Sequence, residues 1–135
     1  MILVTDYFYF DLIKAEYPVE PFPLQGNPQN FVMVMPGQSL SSLYYTSSSL
    51  NLSILVQGID GRAALEMANQ IYDRYRDQIN YEITLPDDYE ADVEPRSIIC
   101  LYIQPIDRPV PLGDVGNGRY QYTVNFIAQL GGQTI

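Results

Sequence analysis

Hydrophobic and polar positions along the chain fall into segments of two periods. In the stretch that begins at Leu50, apolar Leu50, Leu52, Ile54 and Val56 take every second position, interleaved with Asn51, Ser53, Leu55 and Gln57. A period of two puts those four side chains on one side of a pleated strand, so the pattern predicts a strand with one buried face. The alternation recurs over residues 119–130, where Tyr120, Tyr122, Val124, Phe126, Ala128 and Leu130 interleave with Arg119, Gln121, Thr123, Asn125, Ile127 and Gln129. This last strand is long enough to reach beyond one compact sheet, and Tyr122, Val124 and Phe126 are expected to face the core. Between the two lies a helical period. Ala64, Leu65, Ala68, Ile71, Tyr72, Tyr75 and Ile79 form one stripe behind Asp60 as N-cap. The opposite face carries Arg62, Glu66, Asn69, Asp73, Arg74, Arg76 and Asp77, with Asp73 and Arg76 spaced to pair.

Shorter runs fill in the order. Residues 31–35 are a compact apolar strand closed by Pro36-Gly37, and residues 81–85 read as another strand. Residues 97–103 are apolar on both faces, which predicts a strand near the middle of a covered sheet with Cys100 as a small core residue. Residues 5–15 suit a short helix with Thr5 as N-cap and Phe8, Leu12 and Ala15 on one face, although Tyr7-Phe8-Tyr9-Phe10 fits a strand equally well. Pro18, Pro21, Pro23 and Pro28 predict a loop up to Asn30. Pro105, Pro109, Pro111, Gly113, Gly116 and Gly118 predict a second irregular connection, with Asn117-Gly118 as the tight turn into the last strand. The sum is a single α+β domain over residues 1–135: a mixed, mainly antiparallel sheet, one long helix packed on a face, and a short N-terminal helix.

Composition narrows what such a domain can do. The 135 residues are 47% hydrophobic, enough for a real core, while seven basic residues against sixteen acidic ones leave a net charge of −9. That charge repels phosphate backbones and anionic membranes, which argues against a basic nucleic-acid patch or a base-stacking platform. There is no histidine and one cysteine, so internal disulfides, His/Cys zinc sites and imidazole-activated nucleophiles are excluded, and no enzyme is expected. The start lacks the basic region and cleavage site of a signal peptide, which implies synthesis in a cytoplasm and no membrane partner. Asp87, Asp88, Glu90, Asp92 and Glu94 could hold a hard cation, but the spacing is not that of an EF-hand, and a solvated or partner-facing edge is the better reading. The glycines of residues 113–118 superficially resemble a phosphate loop, yet they precede a strand and no Gly-Lys-Ser/Thr follows. No cofactor or metal is therefore expected. Twelve tyrosines suit half-buried sheet faces and contacts between subunits. Tyr44, Tyr45, Tyr81, Tyr89 and Tyr102 are read as core-edge or subunit-contact residues, and Tyr44, Tyr45, Tyr89, Arg108, Arg119, Gln121 and Thr123 are the candidate contacts to subunits or partners.

Four features over residues 30–130 resemble, in order and spacing, one known family. They are the strand at Phe31 ending in Pro36-Gly37; Asn51-Leu-Ser-Ile-Leu-Val-Gln-Gly58; the helix entered through Asp60-Gly-Arg-Ala-Ala-Leu-Glu-Met-Ala-Asn-Gln-Ile-Tyr72; and Pro111-Leu-Gly-Asp-Val-Gly-Asn-Gly-Arg-Tyr-Gln-Tyr-Thr-Val-Asn-Phe126. The pattern resembles the tail terminator, or tail completion, proteins of long-tailed bacteriophages, which some phages call minor capsid proteins. The resemblance implies a sheet flanked by helices and a hexameric ring at the end of the tail tube. Such a ring stops tube growth and offers a surface to the head-completion protein of the neck, while double-stranded DNA passes through its lumen without specific binding. It places the protein in the virion tail or neck after synthesis in the host cytoplasm. The rival reading is a soluble acidic protein that mimics nucleic acid and inhibits a basic enzyme or regulator.

Overall fold

The computed structural model describes residues 2–35, 39–40, 48–89 and 96–131. Their order is β1 (Ile2–Leu3), α1 (Val4–Lys14), β2 (Phe31–Val34), β3 (Ser39–Leu40), β4 (Ser48–Gly58), α2 (Gly61–Tyr75), β5 (Gln78–Thr84), β6 (Ser97–Pro105), β7 (Val110–Gly116) and β8 (Arg119–Leu130). Six strands form one sheet in the order β2-β4-β8-β6-β5, with β7 also on β8, and its ladders are antiparallel. β1 and β3 make a separate two-stranded pair. The sheet-dominated α+β class expected from the sequence fits this arrangement.

The last strand does not reach beyond the sheet; it is the sheet's centre. One edge of β8 pairs with β4 from Tyr120 to Leu130. Its other edge is shared, with β6 opposite residues 126–130 and β7 opposite residues 119–123. β7 corrects the second expectation, because the segment read as irregular is a strand. Gly113 (φ 111°) and Gly116 (φ 103°) sit where the β7 register shifts, so there glycine accommodates bulges and does not end the pairing. The hairpin then closes through Asn117 (φ 56°) and Gly118 (φ 78°), two consecutive left-handed residues as a type I′ turn requires, and this is the tight turn expected.

Residues 64, 68, 71 and 75 of α2 are buried, a stripe spaced for one helix face. The Asp60 side chain accepts from the Ala63 N–H at 2.8 Å and caps the first turn. At the other end Arg76 leaves helical geometry and Asp77 turns left-handed (φ 57°), so Ile79 is not on the stripe; it lies in β5 and is 73% exposed. Leu65, also assigned to the stripe, is exposed, while Tyr72 packs against the core edge. Gly58 explains how closely α2 follows β4, since a Cβ there would lie 2.3 Å from the Ala64 nitrogen.

The core joins Leu52, Ile54 and Val56 of β4 to Val124, Phe126, Ala128 and Leu130 of β8, with Ile98, Cys100 and Ile103 of β6 and Ile83 of β5. Tyr122 packs against it half-buried, and Val124 and Phe126 are fully buried, as the alternation predicts. Both helices close this core, not one long helix alone. Tyr7, Phe8 and Leu12 of α1 are buried beside α2, and the Phe8 ring meets Tyr75 edge-on at 5.7 Å. Phe126 lies against both Tyr72 and Tyr75, at 6.4 and 5.7 Å.

β6 is near the middle of the sheet but is not covered on both faces. Ile99, Leu101 and Tyr102 are exposed. A register shift between Cys100 and Tyr102 makes Leu101 an extra residue, which restores Ile103 to the core side. The two apolar faces in the sequence thus reflect a bulge and an uncovered surface.

Candidate functional site

The sheet face turned away from the core carries Gln121 and Thr123 of the residues expected to make contacts. On β8 the odd-numbered positions point there, because Val124, Phe126, Ala128 and Leu130 point inward. Gln121 donates through Nε2 to Gln57 Oε1 at 3.0 Å, and Gln57 donates in turn to the carbonyls of Pro28 and Gln29. Thr123 lies 3.2 Å from the Ser53 hydroxyl and also donates to Asn125 Oδ1 at 3.2 Å. The structure therefore brings Gln121 and Thr123 into one polar row across β4 and β8.

Beside that row the face becomes apolar. Ile79 is paired with Tyr102, Tyr102 with Gln129, and Ile127 with Gln104, so Ile79, Tyr102 and Ile127 run diagonally over β5, β6 and β8. Ile99 lies further along β6, and all four side chains are exposed. Sequence reasoning missed this surface, having assigned Ile79 to a helix and covered β6 on both sides. The signal available was the isoleucine at an odd position of an otherwise polar strand face.

The remaining candidates are dispersed. Arg119, beside the turn of the β7–β8 hairpin, donates to Asn27 Oδ1 at 2.6 Å. Arg108 is exposed in the excursion between β6 and β7, where the Ile106 N–H reaches the Asn125 carbonyl. Tyr89 is half-buried, stacks edge-on with Phe10 at 5.0 Å and donates to Asp6 Oδ2 at 3.0 Å. Tyr44 and Tyr45 lie outside the described residues, as do Glu90, Asp92 and Glu94 of the acidic stretch. Its ends are tied by Arg96, which donates to the carbonyls of Pro86 and Tyr89. Among the described residues no group of three potential metal ligands occurs. In the glycine cluster, Asp114 Oδ1 accepts from the Gly116 N–H at 2.6 Å, a local turn bond.

One polar cluster was not anticipated at all. Asp11 of α1 is buried and accepts from the Tyr75 hydroxyl at 2.5 Å, the Tyr81 hydroxyl at 2.9 Å and Arg74 Nε at 3.1 Å. One carboxylate thereby links α1, α2 and β5. Burial raises the pKa of both tyrosines, and the Asp11 charge raises them further. Burial, followed by the same charge, pushes the Cys100 thiol up to about 12. For Arg74, burial works against the cation but is outweighed by the hydrogen bond and charge of Asp11, and its pKa is raised. Activated nucleophiles need the opposite shift. The cluster is a structural tie, and its trace in the sequence is an acid placed three residues after Phe8 and one before Leu12, inside the apolar face of α1.

The model of a family described as bacteriophage tail terminator protein matches residues 20–131 of the chain. No curated protein and no solved structure matches it. The matched span runs from the loop before β2 through the end of β8 and includes all four features quoted from the sequence.

Proposed function

The chain belongs to the bacteriophage tail terminator family, a family of structural proteins of the phage tail, and from that premise we propose that it caps the tail tube. In this reading copies assemble as a ring, six by the family resemblance, at the end of the tube in the virion neck. The ring ends polymerisation and presents the docking surface for the head-completion protein. Family membership is the observation that carries the reading.

Elementary assembly physics explains why a cap is needed. A tube built from heterologous contacts shows the same unsatisfied surface after each added ring, so growth continues until a non-identical subunit covers the end. Capping requires complementary surfaces and no bond chemistry. The uncovered face of Ile79, Ile99, Tyr102 and Ile127 supports such contacts, since a contiguous exposed apolar patch on a small domain is a usual mark of an interface. Leu112 and Val115, exposed on β7, offer a second apolar surface at the hairpin. A ring uses two different surfaces per copy, so this pairing is compatible with closure. Gln121 and Thr123, in the polar row beside the apolar face, are proposed as subunit contacts together with Arg108 and Arg119; Tyr89, Tyr44 and Tyr45 are proposed as contacts with partners. The tube and neck partners are the tail tube protein and the head-completion protein. The net charge of −9 per copy favours a lumen through which DNA moves without adhering.

The test is a phage unable to make the protein. DNA-filled heads without joined tails, together with tails of abnormal length, are expected in micrographs. Normally joined tails of normal length would reject the capping role and favour the acidic inhibitor.

A further inference from the structure

A cleft of about 260 Å³ opens between the start of α1, the loop at Pro21 and Phe22, and Tyr89. Its walls are mostly rings. Tyr9 lies edge-on to Phe10 at 5.1 Å, Phe10 edge-on to Tyr89 at 5.0 Å, and Phe22 adds a fourth ring that is 52% exposed. Val34 of β2 supplies an aliphatic wall. The one carboxylate in the lining, Asp6, is already engaged, since its Oδ2 accepts from the Tyr89 hydroxyl at 3.0 Å. A group that enters the cleft therefore meets chiefly rings and hydrocarbon, which selects an apolar side chain. The volume is on the scale of one side chain, below the roughly 300 to 1,000 Å³ of sites for drug-sized ligands.

The chain carries a matching projection. Ile106 is 49% exposed at the start of the excursion between β6 and β7, which Pro105 and Pro109 stiffen, and its N–H is fixed to the Asn125 carbonyl at 3.0 Å. A side chain on so restrained a backbone loses little freedom when it docks. Two residues on is Arg108, which pairs with no carboxylate among the described residues, while Asp87 and Asp88, both exposed, directly precede Tyr89 at the cleft. An apolar side chain and a cation on the projection thus answer an apolar cleft with an acidic rim, a local attraction between copies that otherwise repel at −9 each. The two surfaces also lie on opposite sides of β8. Val34 pairs with Ile54 and Ile54 with Val124 from one side, whereas Ile106 meets Asn125 from the other, so cleft wall and projection stand at the same level along the strands and are separated by β4 and β8. A contact between two different surfaces, repeated from copy to copy, is what a ring requires. We infer that the cleft receives Ile106 of a second copy of this chain, with Arg108 of that copy over the acidic rim. The inference rests on assembly into a ring and names one of its contacts; the partner met at Tyr89 is then a neighbouring copy.

The test places cysteines beside the contact and leaves its own side chains intact. Pro21→Cys and Asp107→Cys are combined in the full chain on a phage without the native copy, and purified particles are treated with a short bis-maleimide; Cys100 is buried and does not compete. A ladder of linked copies up to the complete ring is expected on a denaturing gel, and either cysteine alone should give single chains. Adding Ile106→Asp, a change at an exposed site that should leave the melting temperature nearly unchanged, should abolish the ladder. Without the cysteines, Ile106→Asp should cut the copies retained per purified particle about tenfold, as loss of a central anchor does, and Ile106→Val should not. No ladder from the pair, a ladder that survives Ile106→Asp, or full retention of Ile106→Asp would each overturn the assignment. The ladder reads contact between copies and not tail length, so capping can fail while the contact stands, and normal capping without a ladder rejects the contact alone.

Discussion

Asp11 concentrates more consequence than any other side chain, because three donors from two other elements converge on it. Asp11→Ala leaves the Tyr75 hydroxyl and the partly buried Arg74 cation without their acceptor and is expected to cost about 2 to 4 kcal/mol; a shift of the urea midpoint measures it. The same surroundings set an alkaline limit. Cys100 and the tyrosines have folded pKa values raised above their ordinary 9.0 and 10.0, so their protons are held more tightly folded than unfolded. The stability these groups contribute is therefore fully present below about pH 9 and is expected to fall as pH climbs from there toward the folded values, first through Cys100 and then through Tyr75 and Tyr81. In Cys100→Ala the decline should begin about one pH unit later, read from urea midpoints across the alkaline range. Facing on β8 gives a third comparison. Val124→Asp places an unpaired charge in the core and should unfold the domain or cost several kcal/mol, whereas Thr123→Asp, on the half-buried outer face, should be much milder. Equal midpoints would contradict the facing.

Elements depend on a few junction residues. β4 runs into α2 through Gly58 and the Asp60 cap, and the two are unequal in importance. Asp60→Ala removes one bond to the Ala63 N–H and is expected to cost about 1 kcal/mol. Gly58→Ala drives a methyl into the α2 backbone, which cannot move without displacing Ala64 and Ala68 from the core, and should be the more damaging of the two by thermal melting. The β7–β8 turn is a milder case: Gly118 is left-handed, so Gly118→Val is expected to cost about 1 to 2 kcal/mol and to loosen the hairpin, visible as faster amide exchange in β7.

For the molecule as a whole, the uncovered sheet face separates folding from assembly. Ile79 is 73% exposed and its neighbours Tyr102 and Ile127 are also at the surface, so Ile79→Asp combined with Ile127→Asp should leave the melting temperature nearly unchanged. If the face joins copies in a ring, the same double variant should fail to restore joined tails to a phage lacking the protein, while a charge placed at exposed Glu66→Lys on the opposite side, on α2, should restore them. Full restoration by the double variant would exclude this face as a contact.

The sequence by itself determined what local periodicity and covalent geometry can determine. Alternation gave β4 and the inward set of β8, an apolar stripe with Asp60 gave α2, and Asn117-Gly118 gave the hairpin turn, because each depends on residues close in the chain. The lack of histidine and the four quoted features pointed to a structural phage protein before any contact was known. Tertiary structure alone decided three things. It made β8 central by supplying β4, β6 and β7 as partners, since strand order depends on pairing between distant segments and leaves no mark in a strand's own pattern. It turned residues 110–116 into a strand, because Gly113 and Gly116 at bulges are tolerated only where a partner ladder fixes the register. And it left one face of β6 bare while burying Asp11 of α1 against α2 and β5, because whether a side chain is covered is settled by what packs over it, and that is a property of the assembled fold and not of the residue or its neighbours in sequence.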